Sequence, residues 1–416
     1  MSLHSILYLL SITSYNFALQ ITSNQSSIDF RSDNHESSMR SLLLQKVKVA
    51  SEALTAAVSE ESSVWGLGNP IVRAVTGYMP PRTEYFNQFK SFLLSLALIR
   101  SDQGGYIKTD MVIYCEEVSI KDLKELGCVE EERRDFSEPE QCIIRIRRNS
   151  TDWGMSADPL DRYPVVKSID ILLDFPTSQN YDYPVVLRSD LDVFVTPGFA
   201  NWLPTDEIKI YTGQGGYGSE NAFKHLQYVS TKALGLNFSG LKDIGSTWYG
   251  VTKVLVAAAS LTVATMRWMI TQEFTEYEIC CSGTDGWPYW HYGVLLLYGG
   301  HIAVNAIQAK HVVVNDLKSF AMDFGSDTTR STQDLGVKHI HCWQADTRFS
   351  KAARLLGDYK FIDLTPFKHI ETIRDYATVI AVSADRLKNK QLSKLVKSGV
   401  SYRDKSWMRL RPLRNY

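Results

Sequence analysis

PVVLRSDLDVFV, residues 184–195, is an apolar run that stops at two aspartates one residue apart, Asp190 and Asp192, and then resumes. In an extended chain residues i and i+2 share a face, so both carboxylates can point at one cation. Hard oxygen ligands of this kind suit magnesium or manganese, above all where a substrate diphosphate supplies further oxygens. A carboxylate pair closing a buried strand also needs a charge partner, because burying it alone is costly. The plainer alternative is an ordinary acidic junction between strand and loop.

The flanking sequence gives this strand its setting. Upstream, PVVKSIDILLDF (164–175) has helical spacing at Val165, Val166, Ile169, Leu172 and Leu173. Further upstream, IVRAVTGYM reads as a strand, the following Pro-Pro as a turn, and TEYFNQFKSFLLSLALIR as a long helix. DMVIYCEE (110–117) and CIIRIRR (142–148) are short β-rich runs, with a helical pattern at DLKEL between them. Downstream, IKIYTG (208–213) is a strand that leads into the glycine-rich GQGGYG (213–218), and two helices are expected over 220–270. Trp287–Tyr298 reads as a helix, HIAVNAIQ (301–308) as a late strand and FIDL (361–364) as an extra one. Alternating strands and helices without repeats indicate an α/β domain with a mainly parallel sheet flanked by helices. In such sheets ligands bind beyond the carboxyl ends of the strands, where Asp190 and Asp192 sit.

Composition bounds the function. The chain has 416 residues, 44% hydrophobic, with Lys plus Arg 45 against Asp plus Glu 46. That balance builds a substantial core and gives no reason to expect a nucleic-acid partner. From Arg386 to Tyr416, ten Lys/Arg face one acid, Asp404. Residues 376–416 are accordingly expected to form a basic tail, able to contact a membrane surface peripherally. The N-terminus carries an apolar run from Ile6 to Ile12 and a small residue, Ala18, so residues 1–19 read as a signal peptide or short anchor. Residues 20–65 read as a flexible lead and stem, where the helical spacing from Met39 to Ser59 gives a stem helix or the first helix of the domain, and residues 66–375 as the main domain. Sequons at Asn24, Asn149 and Asn237 and six cysteines agree with the secretory route, in the Golgi or endoplasmic reticulum lumen or beyond the cell. VLVAAASLTVATM (254–266) is too short to span a bilayer and is expected as a buried helix.

Four further segments carry candidate chemistry. KHIHCWQADTRFSK (338–351) puts His339 and His341 on one strand face, and the favoured one, His341, can complete a metal shell with Asp190 and Asp192. GTDGWPYWHYG (283–293) places Asp285 before an aromatic helix start, as a helix cap or as a base that deprotonates an acceptor hydroxyl. Trp287 and Tyr289 can stack on sugar faces or fill core. GQGGYG is neither a dinucleotide fingerprint nor a P-loop, but Gly215 and Gly216 can let a loop close over substrate. TGYMPPR places Tyr78 and Arg82 after the first strand, where they can meet a base and a phosphate, and Arg188 is a further phosphate candidate.

TGYMPPR, SDLDVF, GTDGW and HIHCW, taken together over residues 66–350, resemble the nucleotide-sugar glycosyltransferases of the GT-A fold. RSDLDVFVTPGF and HIHCW look like a poorly characterised eukaryotic family with a GT-A-like domain. The resemblance implies a GT-A-like (Rossmann-like) sheet and a divalent cation, Mn2+ or Mg2+, held by Asp190, Asp192 and His341. It further implies a nucleotide-diphosphate sugar donor, a glycan, protein or lipid acceptor, and Asp285 as acceptor base. The late motif lacks the Gly, Lys and Pro that accompany the histidine in the best-known retaining transferases, so the stereochemistry stays open. Two other readings compete. One is a phosphatase of the haloacid-dehalogenase type with the first aspartate as nucleophile. The other is a catalytically silent carbohydrate-binding protein on the same fold.

Overall fold

Strand β1 (Ile71–Met79) is apolar at six of its nine positions and buried from its second residue onward. That pattern suits a strand covered on both faces. Val75 and Met79 enter one core, while Val72, Ala74 and Tyr78 enter the other. Pro80 and Pro81 stop the strand, because proline cannot donate to the ladder, and helix α2 (Thr83–Arg100) follows. The structure, a computed structural model, describes residues 33–60, 70–100, 102–130, 137–147, 158–175, 183–215, 219–281, 290–315, 322–326, 328–332, 336–342, 362–364 and 370–398.

Among the described residues β1 lies inside an eight-stranded sheet of order β3-β4-β2-β1-β5-β8-β7-β9. The remaining strands are β2 (Ile107–Cys115), β3 (Val129–Glu130), β4 (Cys142–Ile146), β5 (Val185–Arg188), β7 (Ile210–Gln214), β8 (Ile244–Val251) and β9 (Val312–Val314). Every neighbouring pair is parallel except the two that β8 makes with β5 and β7. The expected α/β fold with a mainly parallel sheet is therefore present. A small second sheet joins β6 (Val193–Val195), β10 (Phe324–Gly325) and β11 (His339–His341), with β11 antiparallel to β6.

Helices fill both faces. α2 packs in one core with α5 (Ile373–Arg386) and α6 (Asn389–Ser398). The other core holds α1 (Asp33–Ser59), α3 (Thr252–Gln272) and α4 (Leu295–Asn305). The apolar run in α3 is a core helix, as its length suggested, with 83% of its most apolar window buried. α1 docks through Leu43, Val47, Ala50 and Leu54, one helical stripe. It thus occupies much of the stretch expected as lead and stem. Cys128–Cys142 and Cys280–Cys281 are disulfide-bonded, and Cys115 and Cys342 are buried thiols.

Several elements differ from their reading in the sequence. HIAVNAIQ is not a strand, because His301–Asn305 closes α4. Gly299 and Gly300 hid the helix, and the packing explains them: a Cβ would lie 2.6 Å from Met266 Cγ at the first and 3.0 Å from Trp248 at the second. The region 220–270 contains β8 as well as helices, and β9 was not foreseen. Residues 362–364 of FIDL are irregular, and 164–174 is a chain of short helical turns. Residues 373–398, largely assigned to a basic tail, form α5 and α6, with Ile373 and Tyr376–Ala384 buried.

Candidate functional site

β1 sends its connection through α2 to β2 on one side, while β5 pairs on its other side. The carboxyl ends of β1 and β5 therefore flank the point where the strand order reverses, the usual place for a ligand crevice. β5 ends at Arg188 and the chain turns through Ser189–Asp192 before β6, so the Asp-x-Asp lies on a turn, not within the strand. Ser189 N–H still donates to Thr76 O at 3.0 Å, which ties the turn to β1. Gly77 permits this approach, since a Cβ there would stand 3.0 Å from Ser189 O.

The turn aims its side chains at β11. Asp190 accepts from Arg188 Nη2 at 3.2 Å and from Ser246 Oγ at 3.0 Å. Arg188 is 1% exposed and also donates to the carbonyls of Ser168 and Ser246, so it braces Asp190 from below. β11 sets His341 opposite Val193, and Cys342 N–H donates to Asp192 O at 2.9 Å. His341 Nε2 then faces Asp192 Oδ2 at 3.5 Å. Asp190, Asp192 and His341 bring their ligand atoms within 4.8 Å of one another. Burial opposes a proton on His341, but the carboxylates of Asp192, Asp323 and Asp190 outweigh it and push the pKa up to about 9. Two carboxylates and one imidazole with ligand atoms this close fit a divalent cation that keeps open positions for other oxygens.

Residues 68–409 match the domain of unknown function DUF7164. The chain belongs to that family. No curated protein sequence matches it. Among solved structures it is similar to the apo form of mouse xyloside xylosyltransferase 1, at 12% identity and a TM-score of 0.34, covering 65% of this chain and 98% of that one. It is also similar to the apo structure of the bifunctional glycosyltransferase WbbM, at 11% identity and a TM-score of 0.34, covering 82% of this chain and 53% of that one.

In this DUF7164 chain Asp323 completes the surroundings of the cluster, and no motif pointed to it. Its carboxylate is 2% exposed, accepts from Thr247 Oγ1 at 2.6 Å and lies 3.2 Å from His339 Nδ1. Burial would raise the Asp323 pKa, but His339, His341 and the Thr247 hydroxyl hold it below the usual carboxylate value. His339 Nε2 in turn lies 2.8 Å from Ser189 Oγ. This Ser-His-Asp chain offers no nucleophile to a substrate, since Ser189 is 1% and His339 0% exposed. It ties the Asp-x-Asp turn to β11.

Of the other expected residues, Tyr78, Arg82 and Gly215 lie among the described ones. Tyr78, at the end of β1, donates to Glu116 Oε1 at 2.8 Å, and Lys167 Nζ reaches the same oxygen at 2.7 Å. Burial and Glu116 together raise the Tyr78 pKa, which keeps the phenol protonated. Arg82 is exposed and lies 3.8 Å from Glu84. Gly215 N–H donates to Asp243 O at 2.8 Å. Gly216, Asp285, Trp287 and Tyr289 lie outside the described residues.

Proposed function

We propose that the chain is a metal-dependent glycosyltransferase that moves a sugar from a nucleotide-diphosphate donor to a hydroxyl of a glycan, protein or lipid in the secretory pathway. The observation that carries this reading is the convergence of Asp190, Asp192 and His341, ligand atoms within 4.8 Å, at the strand-order reversal between β1 and β5. A bound Mn2+ or Mg2+ supplies positive charge against the diphosphate as it leaves. Arg188 and Ser246 fix Asp190, and Asp192 and His341 close the other side of the cluster. Tyr78 and Glu116 stand at the ends of β1 and β2, with Lys167 of the neighbouring helical turns reaching Glu116, and there we place the nucleoside. The acceptor oxygen attacks the anomeric carbon, the bond to the diphosphate breaks, and Asp285 takes the hydroxyl proton. We assign Trp287 and Tyr289 to the acceptor, and Gly215 and Gly216 to the donor.

The apolar N-terminus, the exposed sequon residue Asn237 and the Cys128–Cys142 disulfide support a lumenal setting. The hydrogen bonds on both Asp190 oxygens argue against a phosphatase with that residue as nucleophile. A thermal-shift series of nucleoside diphosphates with and without Mn2+ tests the proposal, followed by donor hydrolysis over a panel of nucleotide sugars. A ligand at a hundred times its dissociation constant stabilises a fold by about 2.7 kcal/mol, so a Mn2+-dependent rise in the unfolding midpoint is expected. A midpoint that no combination of cation and diphosphate moves would refute it.

A further inference from the structure

Asp323 stands behind His341, on the side of the ring opposite Asp192. Nε2 faces Asp192 Oδ2 at 3.5 Å, and Nδ1 faces Asp323 Oδ1 at 3.7 Å. We propose that Asp323 is the positioning residue of the cation site, its carboxylate holding His341 with Nδ1 turned away from the cluster and Nε2 presented to the cation. This rests on the cation reading above.

Three observations carry it. First, Asp323 is held in place at some cost: its φ is +51°, a left-handed backbone that L residues seldom adopt, and Thr247 grips its carboxylate at 2.6 Å. Second, two strands leave space for that carboxylate. A Cβ on Gly213 of β7 would come within 1.8 Å of Oδ2, and one on Gly245 of β8 within 2.9 Å. Third, the same oxygen serves both halves of the cluster. Oδ1 faces His341 directly, and it reaches the Asp-x-Asp turn through His339 at 3.2 Å and the His339–Ser189 contact at 2.8 Å. A histidine that ligates a metal through one nitrogen commonly presents its other N–H to a carboxylate, which sets both tautomer and ring orientation.

The test uses the full chain with Mn2+ alone. Calorimetry gives the dissociation constant, and electron spin-echo modulation reports whether an imidazole nitrogen is bound directly to the ion. Wild type is expected to show nitrogen coupling that His341→Ala removes. Asp323→Asn is expected to bind Mn2+ about 10–100-fold more weakly, with the nitrogen coupling lost at saturation and the metal-free circular dichroism spectrum unchanged. A purely structural role for Asp323 would leave that coupling in place. Unchanged affinity with full coupling in Asp323→Asn overturns the positioning role and leaves the cation site standing. A wild-type chain that binds no Mn2+ overturns the cation site, and the positioning role with it. If Asp323→Asn does not fold, Thr247→Val takes its place, because it removes only the 2.6 Å hydroxyl bond. A several-fold loss with weakened coupling is then expected, and wild-type behaviour overturns the proposal.

Discussion

Around the cavity lined by Arg147, Asp158, Lys167, Asp170 and Arg267, each buried acid has its own arginine. Arg147 Nε donates to Asp170 at 3.1 Å and Arg267 Nε to Asp158 at 2.9 Å. Beyond β5 the balance is different, with Asp190, Asp192 and Asp323 set around two histidines and the single guanidinium of Arg188. The matched pairs are complete in themselves, and breaking one strands a buried charge. The acid-rich cluster is incomplete: its surplus of carboxylates is balanced by a proton on His341 or by a cation in its place. The first region is a set of matched ion pairs, and the second is the one that the proposed function assigns to a cation.

Asp192→Ala probes the acid-rich side and should have the largest effect. It is expected to abolish Mn2+-dependent binding of a nucleoside diphosphate, measured by calorimetry, while leaving the metal-free circular dichroism spectrum unchanged. Asp158→Ala should do the reverse. Removing the partner of Arg267, which is 1% exposed, is expected to cost about 3–5 kcal/mol in urea denaturation without altering Mn2+ affinity. If either variant behaved like the other, the contrast between the regions would break.

His301 sharpens the contrast. It is 2% exposed between the rings of Phe223 and Phe238, and burial lowers its pKa to about 4, whereas His341 beside three carboxylates is raised. The folded pKa of His301 lies below its ordinary 6.5, so the unfolded chain binds more protons between those values. Stability should be full above that ordinary value and fall as pH drops towards about 4, by about 3 kcal/mol in total. Urea denaturation across the interval, compared with His301→Leu, checks this; equal slopes would acquit His301.

Much of the sheet could be read from the sequence because several of its strands are rich in apolar and β-branched residues and bounded by turns. β1, β2, β4 and β7 follow that rule, and so does the entry to the Asp-x-Asp. β8 escaped because IGSTWYGV mixes glycine and small polar residues, although it lies between β5 and β7. Its glycines answer to packing, since a Cβ on Gly250 would meet Lys209 O at 2.1 Å. α6 was obscured by lysines that flank its buried Leu392 and Val396, and α5, which has no lysine, was passed over with it. Within the site, Asp190, Asp192 and His341 were visible as spaced ligand types. Asp323, Ser246 and Thr247 were not, because their role depends on a tertiary approach that no local pattern records.

The β6–β11 pairing is only three residues long, yet it sets Asp192 beside His341. A slip of one residue would turn His341 to the opposite face and leave the carboxylates facing an apolar side chain. During synthesis the two aspartates emerge first and must wait for most of the rest of the domain before the imidazole is made. A cation that binds only the finished arrangement stabilises only chains in correct register. The ion would then serve as a late proofreader of assembly before it takes any part in chemistry.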